Sequence, residues 1–408
     1  MLTDLLRRSA AASCLVAGWL TARAELLPGL TVLAEVRFSG GVLPPNWTVN
    51  GPPWRIDDGA HAFGHGGYGS ILHFQRGPSG DSTLDREAIL AQVRMDAPES
   101  GFAVCTLGTY GTIAEVDGRT QRIQFYQSWR PGTQPQPFRS APIPFPLRAG
   151  GAYEVLLEKA LLPRGDGAET CYSFTLKDLR GSGSVSLTEP FDGDAAGWPG
   201  HCWGSPGVMA RGGPITVLAF AWGTPFPRRP RLWIGGDSFV EGDSIYARKD
   251  RRFAELLYRE LGGNAVITGA GGETSGQLAA RLDMDLEPFA PEYCLVLIGA
   301  NDRDFETWRR DLGRIISRIQ GKGAVPILGT LAPRASRQAF LDRANAWMLS
   351  SGLRIVDFAK ALTVAGDRQT WNPALARGDG VHPNLSGHAA MIEALHRDAP
   401  YLFIAAGR

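Results

Sequence analysis

The spacing of apolar residues changes once along this chain, at "TPFPRRPR" (224–231), and that change limits the folds open to it. Before it, the apolar runs are short and several alternate with polar residues: 30–38, 88–95, 102–110, 122–129, 152–160, 172–179 and 215–222. Alternation puts every second side chain on one face, as in a strand buried on one side only. Gly, Pro, Asn and Asp fill the gaps, and no helical stripe is visible. The pattern predicts an all-β sandwich or jelly roll over residues 25–226. After the junction, apolar runs at 231–236, 264–269, 294–299, 325–330 and 354–358 alternate with helical patterns. Phe253, Leu256, Leu257 and Leu261 share one helix face, and Gly262-Gly263 then ends the helix. Trp308, Leu312, Ile315, Ile316 and Ile319 repeat the pattern before Gly321; Phe340, Trp347 and Met348 mark another helix, and Ala389, Ile392 and Leu395 the last. Strand, helix, strand, helix predicts an α/β domain over 227–408, a parallel sheet with helices on both faces. The junction itself, with three prolines and three arginines, reads as a linker.

The first 24 residues stand apart. Arg7 and Arg8 precede a short apolar run (9–20), and Ala22-Arg23-Ala24 gives a small-x-small cleavage pattern. This reads as a secretory signal over 1–24, and the run is too short to span a bilayer comfortably. The expected location is therefore secreted or periplasmic. A net charge of +1 gives no electrostatic case for nucleic acid. Of the cysteines beyond the signal, Cys294 sits in an apolar run and reads as a buried small hydrophobe. Cys105, Cys171 and Cys202 leave room for one disulfide, with the pair undetermined. Asp57, Asp58, His61 and His65 lie close together, but a hydrated turn accounts for them better than a metal. Trp47, Trp54, Trp129, Trp198, Trp203 and Trp222 all fall in the first half. Exposed ones would stack on sugars, although core packing accounts for each taken singly.

Gly-Asp-Ser occurs three times, ending at Ser82, Ser238 and Ser244. Ligands of open parallel sheets bind beyond the carboxyl ends of the strands. Ser238 falls just past the first strand of the second half, where a turn can lift its hydroxyl clear. Ser82 lies in a polar loop, and Ser244 six residues further on than Ser238. The second strand ends in "GAGGETS" (269–275), whose glycines let backbone approach a ligand. The third ends in "GAND" (299–302), whose Asn301 can donate to an oxyanion or cap a helix. Near the C-terminus, "GDGVHPN" (378–384) places Asp379 three residues before His382. In a compact loop that carboxylate can hold one imidazole nitrogen while the other faces a hydroxyl.

Taken in order, "GDSFVEG", "GAGGETS", "GAND" and "DGVHP" resemble the four blocks of the SGNH, or GDSL, hydrolases, over about 231–400. Phe239 replaces the eponymous leucine, and the second block is the loosest fit. The resemblance implies a flavodoxin-like α/β fold and a serine esterase that needs no metal or cofactor. It implies Ser238 as nucleophile, His382 as general base and Asp379 as its orienting acid. The oxyanion hole falls on the amides of Ser238 and Gly272, with Gly271 as the fallback, and on the Asn301 side chain. Asp237 takes a structural role in the turn. The first half is diffusely similar to concanavalin-type lectin/glucanase sandwiches. An exported esterase beside such a sandwich implies an acylated glycan or small-molecule ester as substrate, most simply O-acetyl groups on a carbohydrate. A lipase or acyl-thioesterase on the same triad, and an inert glycan-binding protein, are the alternatives.

Overall fold

The structure is a computed structural model that describes residues 26–36, 47–50, 54–57, 61–64, 70–74, 84–97, 99–107, 112–127, 137–190, 205–242, 245–364 and 367–404. The segment 1–24, Ser82, Ser244, Cys202, Trp129, Trp198, Trp203, Asp58 and His65 lie outside the described residues.

The first half forms two antiparallel sheets from β1 (Thr31–Val36), β2 (Trp47–Asn50), β3 (Arg55–Asp57), β4 (His61–Gly64), β5 (Ser70–Phe74), β6 (Glu87–Met95), β7 (Gly101–Leu107), β8 (Thr112–Asp117), β9 (Arg122–Gln127), β10 (Pro137–Pro142), β11 (Ala152–Arg164), β12 (Gly167–Asp178), β13 (Ser184–Pro190), β14 (Ser205–Arg211) and β15 (Ile215–Thr224). One sheet runs β13-β12-β11-β6-β15-β4-β3 with β1 also on β15; the other runs β10-β9-β8-β7-β14-β5-β2. Alternation decides which side faces in: in β11, Tyr153, Val155 and Leu157 are buried, whereas Glu154 and Leu156 are less so. These meet Phe102, Val104, Phe125 and Val208 of the other sheet in one core. Trp47, Trp54 and Trp222 are buried in that core, so none of the three offers an exposed platform for a sugar. Cys105 and Cys171 are buried free thiols on opposite sheets and do not pair. Among the described residues no cluster of His, Cys, Asp and Glu could hold a metal, and no helix is long and apolar enough to cross a membrane.

The junction is packed against both halves. Phe226 is fully buried and its carbonyl accepts from Thr31. The carbonyls of Arg228, Pro230 and Arg231 accept from the amides of Ala290, Glu292 and Tyr293. Proline removes donors but leaves acceptors, and the non-proline Arg231 N still donates to Asn264 O.

The second half is a five-stranded parallel sheet of β16 (Leu232–Gly236), β17 (Ala265–Gly269), β18 (Tyr293–Leu297), β19 (Val325–Gly329) and β20 (Arg354–Val356), in the order β17-β16-β18-β19-β20. This is the flavodoxin-like 2-1-3-4-5 order, whose switch point lies between β16 and β18. The helices are α1 (Ser238–Glu241), α2 (Phe253–Glu260), α3 (Ser275–Leu286), α4 (Phe305–Gly321), α5 (Gln338–Ser350), α6 (Phe358–Leu362) and α7 (Leu385–Asp398). They form two groups, α3, α4 and α5 in one and α2, α6 and α7 in the other. Local signals set their starts: Asp304 accepts from Thr307 N, Asn384 from Gly387 N, and Thr274 and Gln277 form a capping box.

The two halves share one continuous core. Leu84 forms an antiparallel bridge with Thr268, and Asp85 N donates to Ile267 O, so the sandwich covers the otherwise open edge of β17. Beside it Arg252, 1% exposed, holds Asp85 at 2.5 Å, and Glu255 holds Arg86 at 2.7 Å.

Candidate active site

β16 ends on Gly236, and Asp237 then caps the one-turn helix α1 by accepting from Phe239 N at 3.1 Å. Gly242, at φ +78°, ends that turn after four residues. Ser238 is thus the first residue of a helix begun directly off a buried strand, and its N–H has no acceptor within the helix. Burial, with the charges of Glu273 and Asp302 nearby, pushes the Asp237 carboxyl up to about 7.

The loop 376–384 reaches over from the far end of the chain. Ala376 bridges Pro383, and Arg377 N donates to His382 O. Asp379 Oδ1 accepts from the amides of Val381 and His382, which leaves Oδ2 to meet His382 Nδ1 at 2.8 Å. Because a carboxylate accepts only, Nδ1 carries the proton and Nε2 is left as the acceptor. Nε2 lies 2.9 Å from Ser238 Oγ. Burial alone would raise the Asp379 carboxyl; the hydrogen bonds from the His382 amide and ring and from Val381 N outweigh it and hold it low. The Phe239 ring packs 5.8 Å from the imidazole, so the residue that departs from the family's leucine supports the imidazole.

The loops after β17 and β18 are tied to each other. Asn301 Nδ2 donates to Glu273 O at 3.1 Å, and Asp302 accepts from Ser275 N and Oγ at 3.0 and 2.6 Å. Glu273 is anchored beneath by Arg281, buried with Asp285. Gly271 N donates to Glu241 at 2.6 Å, which removes it as a free donor. Gly272, at φ +76°, has an N–H with no acceptor among the described residues. Ser238, Gly272, Asn301, Asp379 and His382 therefore stand along the C-terminal rim of the sheet, at its switch point. Glu241, Glu273 and Arg281 hold this arrangement and were not singled out from sequence. A carboxylate three residues past Ser238, in an otherwise apolar turn, was the available signal for Glu241.

A flavodoxin-like sheet carrying these residues along its C-terminal rim is the layout of an SGNH-type hydrolase domain. Residues 235–390 match the family model of the GDSL-like lipase/acylhydrolase family. The sandwich lies outside the match. Similar solved structures include a G-D-S-L family protein from Desulfitobacterium hafniense DCB-2, at 20% identity over 42% of this chain and 99% of that one, with a TM-score of 0.38. The psychrotrophic esterase EstA from Pseudoalteromonas sp. is similar at 19% identity over 43% and 98%, with a TM-score of 0.35. An acetylxylan esterase from Geobacillus stearothermophilus is similar at 17% identity over 42% and 94%, with a TM-score of 0.35. Among curated proteins no significant match is found.

Proposed function

We propose that the C-terminal domain hydrolyses carboxylic esters through an acyl-enzyme on Ser238, and that its substrate is an O-acetylated carbohydrate. The observation that supports this most is the 2.9 Å contact between His382 Nε2 and Ser238 Oγ, with Asp379 behind the ring. Neutral His382 takes the Ser238 proton as Oγ attacks the ester carbonyl. Asp379 stabilises the imidazolium that forms. The carbonyl oxygen gains negative charge and is met by the amides of Ser238 and Gly272 and by Asn301 Nδ2. The imidazolium returns its proton to the leaving alcohol. Water, deprotonated by His382, then attacks the acyl carbon, and Ser238 leaves with the proton restored.

The carbohydrate reading rests on the sandwich joined to the hydrolase domain. The basic and apolar stretch ending at Ala24 supports export, which cell fractionation with the mass of the mature chain tests. Turnover of 4-nitrophenyl esters of increasing acyl length tests the activity. Ser238→Ala is expected to abolish it, and Asn301→Ala to lower kcat by about 10²–10³ with little loss of stability. Fast acetate release falling steeply with chain length supports an acetylesterase. Broad chain tolerance points instead to a lipase or thioesterase, and turnover that survives Ser238→Ala removes the proposal.

A further inference from the structure

The loop after β19 brings two arginines to the same rim. Its backbone is fixed: Asn345 grips both Leu331 N and Leu331 O, at 2.7 and 2.9 Å. Trp371 Nε1 donates to Pro333 O at 2.7 Å, which ties this loop to the segment leading to Asp379 and His382. Arg334 and Arg337 reach back from this loop to the segment bearing Asn301. Both donate to one carbonyl oxygen, that of Ala300, at 3.2 and 2.9 Å. Arg334 also reaches Asn301 Oδ1 at 3.4 Å, and Arg337 reaches Asp302 O at 3.1 Å.

Two cations gathered on one neutral acceptor repel each other, and a carboxylate would normally lie between them. Among the described residues none does. The Asp302 carboxylate, whose charge acts on Arg337, is committed to Ser275. The remaining N–H donors of both guanidiniums have no acceptor among the described residues. Exposed Arg303 adds a third charge: burial, then Arg334 and Arg303, lowers the Arg337 pKa. Other arginines of the domain do find partners, as Arg343 does with Glu306 and Arg368 with Asp357. Planar forks with free donors, held one residue from the candidate oxyanion donor, are suited to an oxygen anion.

We propose that Arg334 and Arg337 form an anion subsite, and that the saccharide deacetylated at Ser238 is acidic, carrying a carboxylate or sulfate near the acetylated hydroxyl. This rests on the esterase reading for the acetyl group, but the subsite can be tested apart from it. Full-length protein is assayed on an acetylated uronate glycoside, its neutral methyl ester, and an acetylated sulfated sugar. A preference for the charged sugars in kcat/KM, carried by KM and reduced by salt, is expected, and the better of the two identifies the anion. Arg337→Gln should cut the charged-to-neutral ratio roughly 10–100-fold, the worth of a hydrogen bond to a charged group, and Arg337→Lys should restore part of it. Calorimetric titration of the Ser238→Ala protein with unesterified uronate oligosaccharide reports binding without turnover. Binding that is lost in Arg337→Gln upholds the subsite even where no ester is cleaved. Equal rates on charged and neutral esters, or uronate binding indifferent to Arg337, would overturn it.

Discussion

Asp237 and Asp379 show how far placement decides the behaviour of one residue type. Asp379 lies at the surface with two backbone amides and an imidazole around it, and stays ionised. Asp237 is buried beside Glu273 and Asp302, and its carboxyl titrates at about 7. Folding therefore binds a proton there that the unfolded chain, titrating at about 4, has already released. That contribution to stability is full below about pH 4 and is lost as pH rises through 7. Asp237→Asn keeps the neutral form and its cap to Phe239 N. Thermal melts from pH 4 to 8 should show the wild type losing stability relative to this variant as pH rises. Parallel curves would mean that Asp237 is ionised in the native protein.

At the scale of elements, the strand ends are spaced by glycine. A Cβ on Gly236 would lie 2.1 Å from Leu297 O, on the neighbouring strand β18. Gly236→Ala must push apart the two strands that deliver Ser238 and Asn301, so activity should fall along with a loss of about 1–3 kcal/mol. Gly262, past the end of α2, has open space around it at φ +63°. Gly262→Ala should cost about 1–2 kcal/mol from the backbone alone and leave kcat intact. Melting temperature and kcat measured on both variants check this, and equal kcat would detach β16–β18 spacing from catalysis. Four of the five parallel strands were legible as buried apolar runs between helical stripes, and β20, of which only Val356 is buried, by the apolar pair that ends it. Several sandwich strands were not. β3 has three residues and β2, β4 and β5 four or five, too short for alternation to register.

Across the whole molecule, the halves are joined by buried charge as well as by apolar contact. Burial alone would raise the Asp85 carboxyl, yet Arg252 and Arg86 hold it well below the usual range. Its stabilising effect is present above about pH 4 and is lost as pH falls below that. Asp85→Ala leaves Arg252 buried without this partner and should cost about 3–5 kcal/mol. Asp166, 91% exposed on the sandwich, pairs with Arg248 across the same boundary. Asp166→Ala should cost less than about 1 kcal/mol, because water screens that pair. Denaturant unfolding of both variants checks the contrast; equal costs would mean that the Asp85 pair is solvated.

The sequence by itself determined what depends on periodicity and on short contiguous motifs: two kinds of fold, five parallel strands, and loops bearing Ser238, Asn301, Asp379 and His382 at their ends. Asp379 and His382 could be related because three residues of loop suffice to bring them together. Only the tertiary structure decided which glycine amide stays free after Glu241 takes that of Gly271. It alone placed Asp85 on Arg252 and Arg334 against Asn301. Those contacts join residues 30 to 167 positions apart, where no local pattern records the distance and chain packing alone sets it.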